Sequence, residues 1–526
     1  MTMLDKEKIK EILSSRFKED LHKNLADLPM PSCLKDIYKA ANRIKEAIDK
    51  NEKIAIVGDY DVDGVISCVI LSEFFDDIAF DYVVKIPNRF KDGYGLNQNI
   101  IEELEDVSLI ITVDNGISAC EAAQLCLQKG IDLIITDHHC PPKILPQAFA
   151  IVNPKQADCK FPDIEICGAQ VVWYLVAALK QICKLKYDMS KFLDILTIAI
   201  IADMMELRDL NRALVKSGIE YINKSQRTAF RVLKEQYQKQ KFELENISFL
   251  IAPLLNSAGR MDDATLSYEF LKSKKSTEAK ELLSKIENFN ELRKDEENKL
   301  FNEALMQSDD KDSCVVVFKE DWHEGVLGIV ASRLAKHFNK PSFVFSKNEG
   351  NIKGSARSVG TVDILELIKT AENLLSNFGG HKGAAGLCLE DKNYESFKEL
   401  INLECKKIPH RAFICNDDIL GELSAFDVDF EILKILEHFE PFGYKNPKPF
   451  FIFKDLHVKH KKTMGDKEQH LKLILQDKNK MVEALFFNFD KDVELNSKIS
   501  FVASISKNEF RGLLTPQLII RELIGA

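Results

Sequence analysis

Short apolar runs alternate with amphipathic stretches between residues 53 and 205. Each run is too short for a buried helix and is followed by a polar loop, which is typical of buried parallel strands joined by helices. The runs are Ile54–Val57, Leu109–Val113, Leu133–Ile135 and Phe149–Val152. The pattern therefore predicts a doubly wound α/β domain with a parallel sheet.

The pattern of the chain changes after residue 210. Residues 265–312 contain almost no Gly or Pro, which predicts one long connecting helix. A second α/β unit is predicted to begin at the apolar run Cys314–Phe318 and to continue to residue 405. From residue 413 onward, short alternating strands are separated by polar turns, which predicts a small β-barrel.

These patterns divide the chain into successive segments. The expected segments are an N-terminal helical segment (1–50), a first α/β domain (51–210), a helical connector (211–312), a second α/β domain (313–405) and a barrel resembling the oligonucleotide-binding (OB) fold (406–526). The expected fold class is therefore multidomain α/β with a C-terminal β-barrel.

Composition narrows the class of protein. The 526 residues carry a net charge of -10, which argues against a protein that coats duplex DNA by charge alone. Twelve cysteines without a CxxC pair argue against structural zinc and against a disulfide framework. The N-terminus lacks an apolar signal core, and no apolar run has the length of a membrane span. We therefore expect a cytoplasmic protein that does not contact a membrane.

Metal-binding residue types follow four apolar runs that are interpreted as strands. In an open α/β sheet, ligands bind beyond the carboxyl ends of the strands. The residues are Asp59, Asp61 and Asp63 after Ile54–Val57, Asp114 after Leu109–Val113, His138 and His139 after Leu133–Ile135, and Asp203 after Ile198–Ala202.

Carboxylates crowded in this way repel one another unless cations lie among them. A set of carboxylates with one or two imidazoles suits Mn²⁺ or Mg²⁺ better than zinc or copper. Two such ions can activate water and stabilise a phosphate during an in-line displacement. A single acidic loop is more often a solvated turn, but four loops at one sheet edge favour a two-metal phosphoesterase.

The order of these motifs resembles the DHH phosphoesterase superfamily. The motifs are Asp-Tyr-Asp-Val-Asp-Gly at 59–64, Asp-Asn-Gly at 114–116, Asp-His-His at 137–139 and the single Asp203. The resemblance implies two divalent ions, usually manganese. By this resemblance the metal ligands are Asp61, Asp63, Asp114, His138 and Asp203, and His139 contacts the phosphate. Several members have a ligand His where this chain has Val57, and Asp59 is the alternative ligand here.

Glycine-rich and basic motifs in the second α/β unit indicate phosphate binding. The segment Gly379–Gly386 surrounds His381, and the exposed N–H groups of such a turn can form an anion nest, although a Gly-rich turn has many structural roles. Ser355 and Arg357 are two residues apart, so on a strand they face the same side. These motifs and Trp322–Gly328 resemble the DHH-associated domain that accompanies the DHH domain.

Three further segments narrow the resemblance to the single-strand exonucleases of the superfamily, namely Pro87–Arg89 followed by Gly93–Leu96, Asn256–Asp263, and Pro441–Phe450. The resemblance implies phosphate contacts near the 5′ end by Arg89, Ser355 and Arg357, backbone binding by Arg260, stacking by Tyr94 and nucleic-acid binding by His381. The alternatives are a packed loop aromatic for Tyr94 and a salt bridge to Asp262 or Asp263 for Arg260.

The barrel region is locally basic. Residues 441–526 contain 15 Lys and Arg against 10 Asp and Glu. The segment His457–Lys462 is interpreted as a basic turn between strands, which an OB barrel would use to follow a single strand. The alternative is a solvated loop.

We therefore expect a single-stranded-DNA-specific exonuclease that uses two Mn²⁺ or Mg²⁺ ions. The resemblance alone implies 5′ to 3′ polarity, a role in recombination and repair, and a single-strand-binding protein or helicase as partner. One alternative is a nano-RNase or cyclic-dinucleotide phosphodiesterase, but these generally lack the barrel. The other is a non-catalytic replication scaffold of this fold, which would have lost metal ligands that are present here.

Overall fold

In a computed structural model the chain forms two compact units. One unit contains Met1–Pro29, Met204–Glu220 and Asn416–Ala526, and the other contains Met30–Asp203 and Tyr221–Cys415. The structure describes residues 3–348, 351–413, 419–465, 468–489, 493–510 and 513–524.

The α-helices are numbered here in chain order. They are α1 (Lys6–Ser15), α2 (Ile37–Lys50), α3 (Val62–Asp77), α4 (Gln98–Glu103), α5 (Cys120–Lys129), α6 (Gly168–Ile182), α7 (Leu193–Ala202), α8 (Asp209–Lys224), α9 (Thr228–Gln236), α10 (Leu244–Asn246), α11 (Ala252–Met261), α12 (Thr265–Lys272), α13 (Ser276–Gln307), α14 (Leu327–Phe338), α15 (Ile364–Lys369), α16 (Tyr394–Lys406) and α17 (Phe430–Phe439).

The strands form three sheets. They are β1 (Ile54–Val57), β2 (Tyr82–Lys85), β3 (Leu109–Val113), β4 (Asp132–Thr136), β5 (Ala150–Val152), β6 (Val315–Phe318), β7 (Ser342–Asn348), β8 (Asn351–Arg357), β9 (Leu375–His381), β10 (Ala384–Glu390), β11 (Ile419–Glu422), β12 (Phe450–Met464), β13 (His470–Asp477), β14 (Lys480–Phe486), β15 (Lys498–Phe510) and β16 (Leu513–Ile524).

The first sheet has the order β2-β1-β3-β4-β5, and all of its pairings are parallel. The strands β1 and β3 are wholly buried, because helices cover the sheet. Ala55, Val57 and Ile110 pack in one core with residues of α4 and α5, and α3 and α6 also contact the sheet. The predicted doubly wound domain is confirmed.

The second sheet has the order β6-β7-β8-β10-β9, with β6 and β7 parallel and the other pairings antiparallel. Its side chains alternate between two cores, as the two-residue period of a strand requires. Val316 packs with α15 and α16, whereas Val315 and Val317 pack with α13 and α14. The second α/β domain is therefore confirmed as well.

The third sheet has the order β11-β12-β13-β14-β16-β15 and closes into a barrel through pairing of β12 with β15. The N-terminal helix α1 belongs to the same unit, because Ile9 and Leu13 are buried in the barrel core. Lys6 at the start of α1 also pairs with Asp429, with Nζ 2.6 Å from the carboxylate. The predicted C-terminal β-barrel is confirmed.

Three expectations about local structure are wrong. The run Ile198–Ala202 lies in helix α7 and is not a strand; α7 is buried on nearly all sides, so it lacks the polar stripe that marks a helix in a sequence. The segment 265–312 contains two helices, because the chain is extended at Ser273 and Lys275. The basic segment His457–Lys462 lies within strand β12 and is not a turn.

Among the described residues, no helix combines the length and the apolar character that crossing a bilayer requires.

Candidate metal centre

The loop after β1 brings three carboxylates to the edge of the first sheet. Asp59 is buried and accepts a hydrogen bond from the Tyr60 N–H at 2.7 Å. Asp61 is the N-cap of α3 and accepts from the N–H groups of Asp63 and Gly64 at 2.9 and 3.1 Å. The turn is tight, because a Cβ on Gly64 would lie 2.6 Å from the backbone of Asp59.

Asp63 is held by the N-terminus of another helix. Its two carboxylate oxygens accept hydrogen bonds from the N–H groups of Gly168 and Ala169 at 2.6 and 2.9 Å, at the start of α6. These are N–H groups that a helix leaves unpaired and that favour negative charge. The N-terminus of α6 therefore orients the Asp63 carboxylate.

Asp114 follows β3 directly and adopts a left-handed backbone conformation, with φ at 63°. A Cβ on Gly168 would lie 2.4 Å from its Oδ1 atom, so only glycine fits beside it. The neighbouring Asn115 donates to the carbonyl oxygens of Val57 and Val113 at 3.0 Å each. These contacts fix the loop that presents Asp114.

The loop after β4 presents His138 and His139. The Nε2 atom of His138 lies 3.3 Å from Asp114, 3.5 Å from Asp203 and 3.8 Å from Asp63. The Nδ1 atom of His139 lies 2.7 Å from the carboxylate of Asp137. His138 therefore faces the other carboxylates, whereas His139 is oriented by Asp137.

Asp203 reaches the site from a helix. It is the C-cap of α7, and its Oδ2 atom is buried. Because this atom lies 3.5 Å from Nε2 of His138, the expected convergence of Asp203 with the strand-end residues holds, although the expected strand does not exist.

The predicted ligands form three overlapping groups, each with donor atoms within 4.8 Å of one another. The groups are Asp59, Asp61 and Asp114; Asp63, His138 and Asp203; and Asp114, His138 and His139. All predicted metal ligands therefore come together in one cluster.

The donor atoms suit a divalent cation. The Oδ1 atom of Asp114 and the Oδ2 atom of Asp203 are buried and accept no hydrogen bond from the residues that the structure describes. Buried carboxylate oxygens without a partner are costly, and a cation would satisfy them. Oxygen ligands with an imidazole match the preference of Mn²⁺ and Mg²⁺.

The electrostatics of the cluster point the same way. Burial and neighbouring carboxylates raise the pKa values of Asp59, Asp63, Asp114 and Asp203 above the ordinary value. Burial, together with the charge of His139, lowers the pKa of His138 to about 3, which keeps this imidazole neutral as a metal ligand must be.

His139 behaves in the opposite way. Burial opposes its protonation, but the hydrogen bond to Asp137 and the charge of that carboxylate raise the pKa of His139 to about 9. Asp137 also accepts hydrogen bonds from the N–H groups of Ile117 and His138 at 2.8 and 2.7 Å. Asp137 thus organises both histidines and the adjoining loop.

Two predicted arginines, Arg89 and Arg260, lie beside the cluster, and the third, Arg357, lies near Arg260. The guanidinium of Arg89 lies 3.9 Å above the ring of Tyr60. Burial, with the nearby charges of Arg89 and Arg357, lowers the pKa of Arg260 to about 10. Arg260 donates to the carbonyl of Gly325 at 3.2 Å, and no ion pair with Asp262 or Asp263 occurs in the described part of the chain.

The remaining predicted residues also lie near this region. Tyr94 is 51% exposed, and its ring meets those of Tyr60 and His139 edge-on, with centroids 6.0 and 6.3 Å apart. His381, in the hairpin of β9 and β10, has its Nδ1 atom 3.8 Å from the Sγ atom of Cys140, next to His139.

Comparison with known proteins identifies the family. Family models match residues 53–200 (DHH family, N-terminal domain), 311–407 (DHHA1 domain) and 419–522 (RecJ OB domain). The single-stranded-DNA-specific exonuclease RecJ of Haemophilus influenzae is 31% identical over 538 residues, which cover 95% of this chain and 93% of that protein. The chain belongs to the RecJ family. RecJ of Bacillus subtilis is 33% identical over 515 residues, and the match covers 95% of this chain but 65% of that protein.

Solved RecJ structures carry the metals that the cluster suits. The structure of RecJ from Thermus thermophilus with Mn²⁺ matches with a TM-score of 0.84 and 28% identity over 99% of this chain and 76% of that chain. The corresponding Mg²⁺ complex matches with a TM-score of 0.78 and 27% identity over 98% and 74%. Membership of the RecJ family confirms the predicted class of metal-dependent nuclease and the prediction of Mn²⁺ or Mg²⁺.

Sequence reasoning missed several contributors to this RecJ-family site. Asp137 could have been identified from the sequence, because it is the first residue of the Asp-His-His motif and directly follows β4. Tyr60 lies within the first motif, but nothing in its spacing predicts the contact with Arg89. The backbone amides of Gly168 and Ala169 had no signal, since they lie more than one hundred residues from Asp63 in the chain.

Proposed function

We propose that this chain is a single-stranded-DNA-specific exonuclease that degrades its substrate from the 5′ end with two divalent ions and acts in recombination and repair. The observation that carries the proposal is the overlap of the ligand groups, because Asp114 and His138 each belong to two of them. Overlapping ligand sets are what two closely spaced ions require.

The ligands divide between two ions. Asp59, Asp61 and Asp114 would hold one ion, and Asp59 takes the place of the histidine that several family members have at the position of Val57. Asp63, His138 and Asp203 would hold the other ion. When bound, two such ions make water nucleophilic and neutralise charge on the phosphate.

The chain's own residues would position the substrate. The Nδ1 atom of His139 is engaged by Asp137, so its Nε2 atom is the one left to donate a hydrogen bond to a phosphate oxygen. Arg89 lies near Asp59 and Arg260 lies near Asp61, and both would stabilise the negative charge that increases on the phosphate during cleavage.

Polarity depends on a second phosphate site. Ser355 and Arg357 lie two residues apart on the face of β8 that packs against α14, and they form a hydrogen-bonded pair that would bind the 5′-terminal phosphate. With the 5′ end held there, the next phosphodiester bond along the strand would lie at the metal cluster. Tyr94 is exposed and would stack on a terminal base.

Single-strand specificity is supported by the relatives and by the barrel. The RecJ relatives are named single-stranded-DNA-specific exonucleases, and the barrel matches the RecJ OB domain. OB folds bind single strands through charged and aromatic surfaces. A nano-RNase or a cyclic-dinucleotide phosphodiesterase does not need such a barrel, so the barrel favours the exonuclease.

The proposal is tested with one single-stranded DNA labelled at its 5′ or its 3′ end, the same sequence as RNA, and the duplex, each incubated with Mn²⁺. We expect the 5′ label to be released at once as a mononucleotide, while the 3′-labelled strand shortens step by step. The duplex and the RNA should persist. The reverse pattern of labels would refute the polarity, and cleavage of dinucleotides alone would favour the small-substrate alternative.

A further inference from the structure

Two helices of the first α/β domain bring carboxylates to the same ion site from opposite directions. Asp63 lies in the first turn of α3, and Asp203 is the C-cap of α7. Both belong to the ligand group that includes His138. Because α3 begins where α7 ends and the two helices are in contact, they run antiparallel.

At the far ends of these helices, one arginine joins two other carboxylates. The guanidinium of Arg227 binds both oxygens of Glu73, with Nη2 3.0 Å from Oε2, and its Nε atom lies 3.2 Å from Oδ2 of Asp194. Glu73 is in the last part of α3, and Asp194 is in the first turn of α7. The helices therefore meet in the ligand group of Asp63 and Asp203 at one end and in the ion pairs of Arg227 at the other.

This ion pair is enclosed and geometrically restricted. The side chains of Arg227, Asp194 and Glu73 are 12%, 6% and 18% exposed. Asp194 accepts a further hydrogen bond from the Ser225 hydroxyl at 2.6 Å, and Arg227 donates to the carbonyl of Leu271 at 3.4 Å. The hydrogen bonds of a planar guanidinium are directional, so they restrict the relative positions of Glu73 and Asp194. The apolar contacts along the helices are less directional.

The distance excludes a direct role in chemistry. Asp63 and Glu73 are ten residues apart on α3, which is about 15 Å at 1.5 Å per residue. An effect of Arg227 on the metal site must therefore act through the positions of the helices.

We propose that Arg227 is a positioning residue for the metal centre: by joining the far ends of α3 and α7, it sets the spacing between Asp63 and Asp203 and thereby the affinity for the ion between them. The inference rests on the proposed function in that it takes these two aspartates as metal ligands. It assigns a functional consequence to an ion pair outside the site.

The test measures Mn²⁺ binding to the full chain by calorimetry, together with the unfolding temperature of the metal-free protein. Arg227→Gln removes the connection, and Arg227→Lys retains the charge but not the bidentate geometry. A triple variant, Glu73→Gln with Asp194→Asn and Arg227→Gln, removes the connection without leaving a buried charge unpaired.

The matched control is Arg43→Gln. Arg43 is a similarly buried arginine that joins two carboxylates, Glu52 and Asp132, with contacts of 2.6 Å each. It lies on α2, which carries no predicted metal ligand, and Asp132 begins a strand that hydrogen bonds fix on both sides. This variant therefore removes two ion pairs of a buried arginine, neither of which involves α3 or α7.

We expect Arg227→Gln and the triple variant to bind Mn²⁺ on the order of 10-fold more weakly than wild type, as for supporting residues of metal sites. Arg227→Lys should fall between them and wild type, and Arg43→Gln should bind Mn²⁺ as wild type does. Wild-type affinity in the triple variant would overturn the inference, and this variant decides the question if Arg227→Gln does not fold.

The outcome is separable from that of the proposed function. If wild type cleaves single-stranded DNA but its Mn²⁺ affinity does not depend on Arg227, the positioning role alone is refuted. If Mn²⁺ affinity depends on Arg227 but wild type does not cleave DNA, the positioning role stands and the proposed activity fails.

Discussion

The Nη1 atom of Arg357 donates a hydrogen bond to the hydroxyl of Ser355 at 3.0 Å, and a second one to the carbonyl of Ala356 at 2.9 Å. On the other side, a Cβ on Gly328 would lie 2.7 Å from Nη2 of the same guanidinium. Gly328 is in the first turn of α14, whose N–H groups favour an anion. Arg357, Ser355 and the start of α14 therefore lie in contact, and they are the groups to which we assign the proposed site for the 5′-terminal phosphate.

Arg357→Lys should reduce cleavage although the charge is conserved, because an ammonium cannot reproduce the fork of the guanidinium. We expect a loss on the order of 1–3 kcal/mol of transition-state stabilisation, the value of a charged hydrogen bond. The loss should be larger for 5′-phosphorylated than for 5′-hydroxyl strands. Steady-state kinetics on both substrates measure this, and unchanged kinetics on both would show that Arg357 is structural.

Asp203→Ala should abolish hydrolysis and leave the fold intact. Its Oδ2 atom accepts no hydrogen bond from the described residues, and its charge is unfavourable among neighbouring carboxylates when metal is absent. The metal-free variant should therefore unfold at or above the wild-type temperature, while Mn²⁺ should stabilise wild type more than the variant. Asp158→Ala, which changes an exposed carboxylate, is the control. Near-normal turnover of Asp203→Ala in Mn²⁺ would refute the assignment of Asp203 as a ligand.

Gly168→Ala should weaken the metal site, because the added Cβ would lie 2.4 Å from Oδ1 of Asp114 and force this carboxylate to move. We expect activity to fall at least about 10-fold, with a higher Mn²⁺ requirement. Gly130→Ala is the control: it adds strain at a φ of 70° but has no neighbour within 4 Å. That control should lose about 1 kcal/mol of stability and no activity. Equal Mn²⁺ dependence in both variants would contradict the prediction.

Lys462→Glu should weaken binding of long strands more than cleavage of short ones. Lys462 is an exposed residue of β12 in the barrel. It belongs to the compact unit that contains the barrel, whereas the predicted metal ligands belong to the other unit. For strands longer than the roughly 16 nucleotides that one OB domain covers, affinity should fall. The slope of log affinity against log salt should decrease by about 0.7 for each lost phosphate contact. Lys50→Glu, an exposed lysine on α2, is the control, and equal effects of the two substitutions would argue against the barrel as the binding surface.

The sequence predicted most of the cluster of candidate ligands because these residues directly follow apolar strands. Asp61, Asp114 and His138 lie one to four residues after β1, β3 and β4, and the ends of adjacent parallel strands are neighbours in any such sheet. The same reasoning placed Asp203 among these residues, but it assumed that Asp203 follows a strand, whereas it follows helix α7. Its apolar run has the length of a strand but belongs to a buried helix, and hydrophobicity alone does not separate the two.

Other errors came from contacts between distant residues. The helix expected over 265–312 is interrupted where the hydroxyl of Thr228 donates to the carbonyl of Lys274 at 3.1 Å. The basic residues 457–462 were interpreted as a turn because of their charge, but they continue β12, which pairs with β13 and β15. In both segments local composition favoured one structure and pairing with remote parts of the chain selected another.

The amino-acid sequence by itself determined the sheet types, the order of the ligand motifs and the preference for Mn²⁺ or Mg²⁺, because these depend on local periodicity and on the chemistry of side chains. Tertiary structure alone decided how Asp63 meets the N-terminus of α6, how Arg227 joins α3 to α7, and how Arg89 and Arg357 come near Arg260. These contacts depend on the crossing and length of packed helices. Such geometry arises from the summed packing of the whole domain and leaves no short-range pattern in the chain.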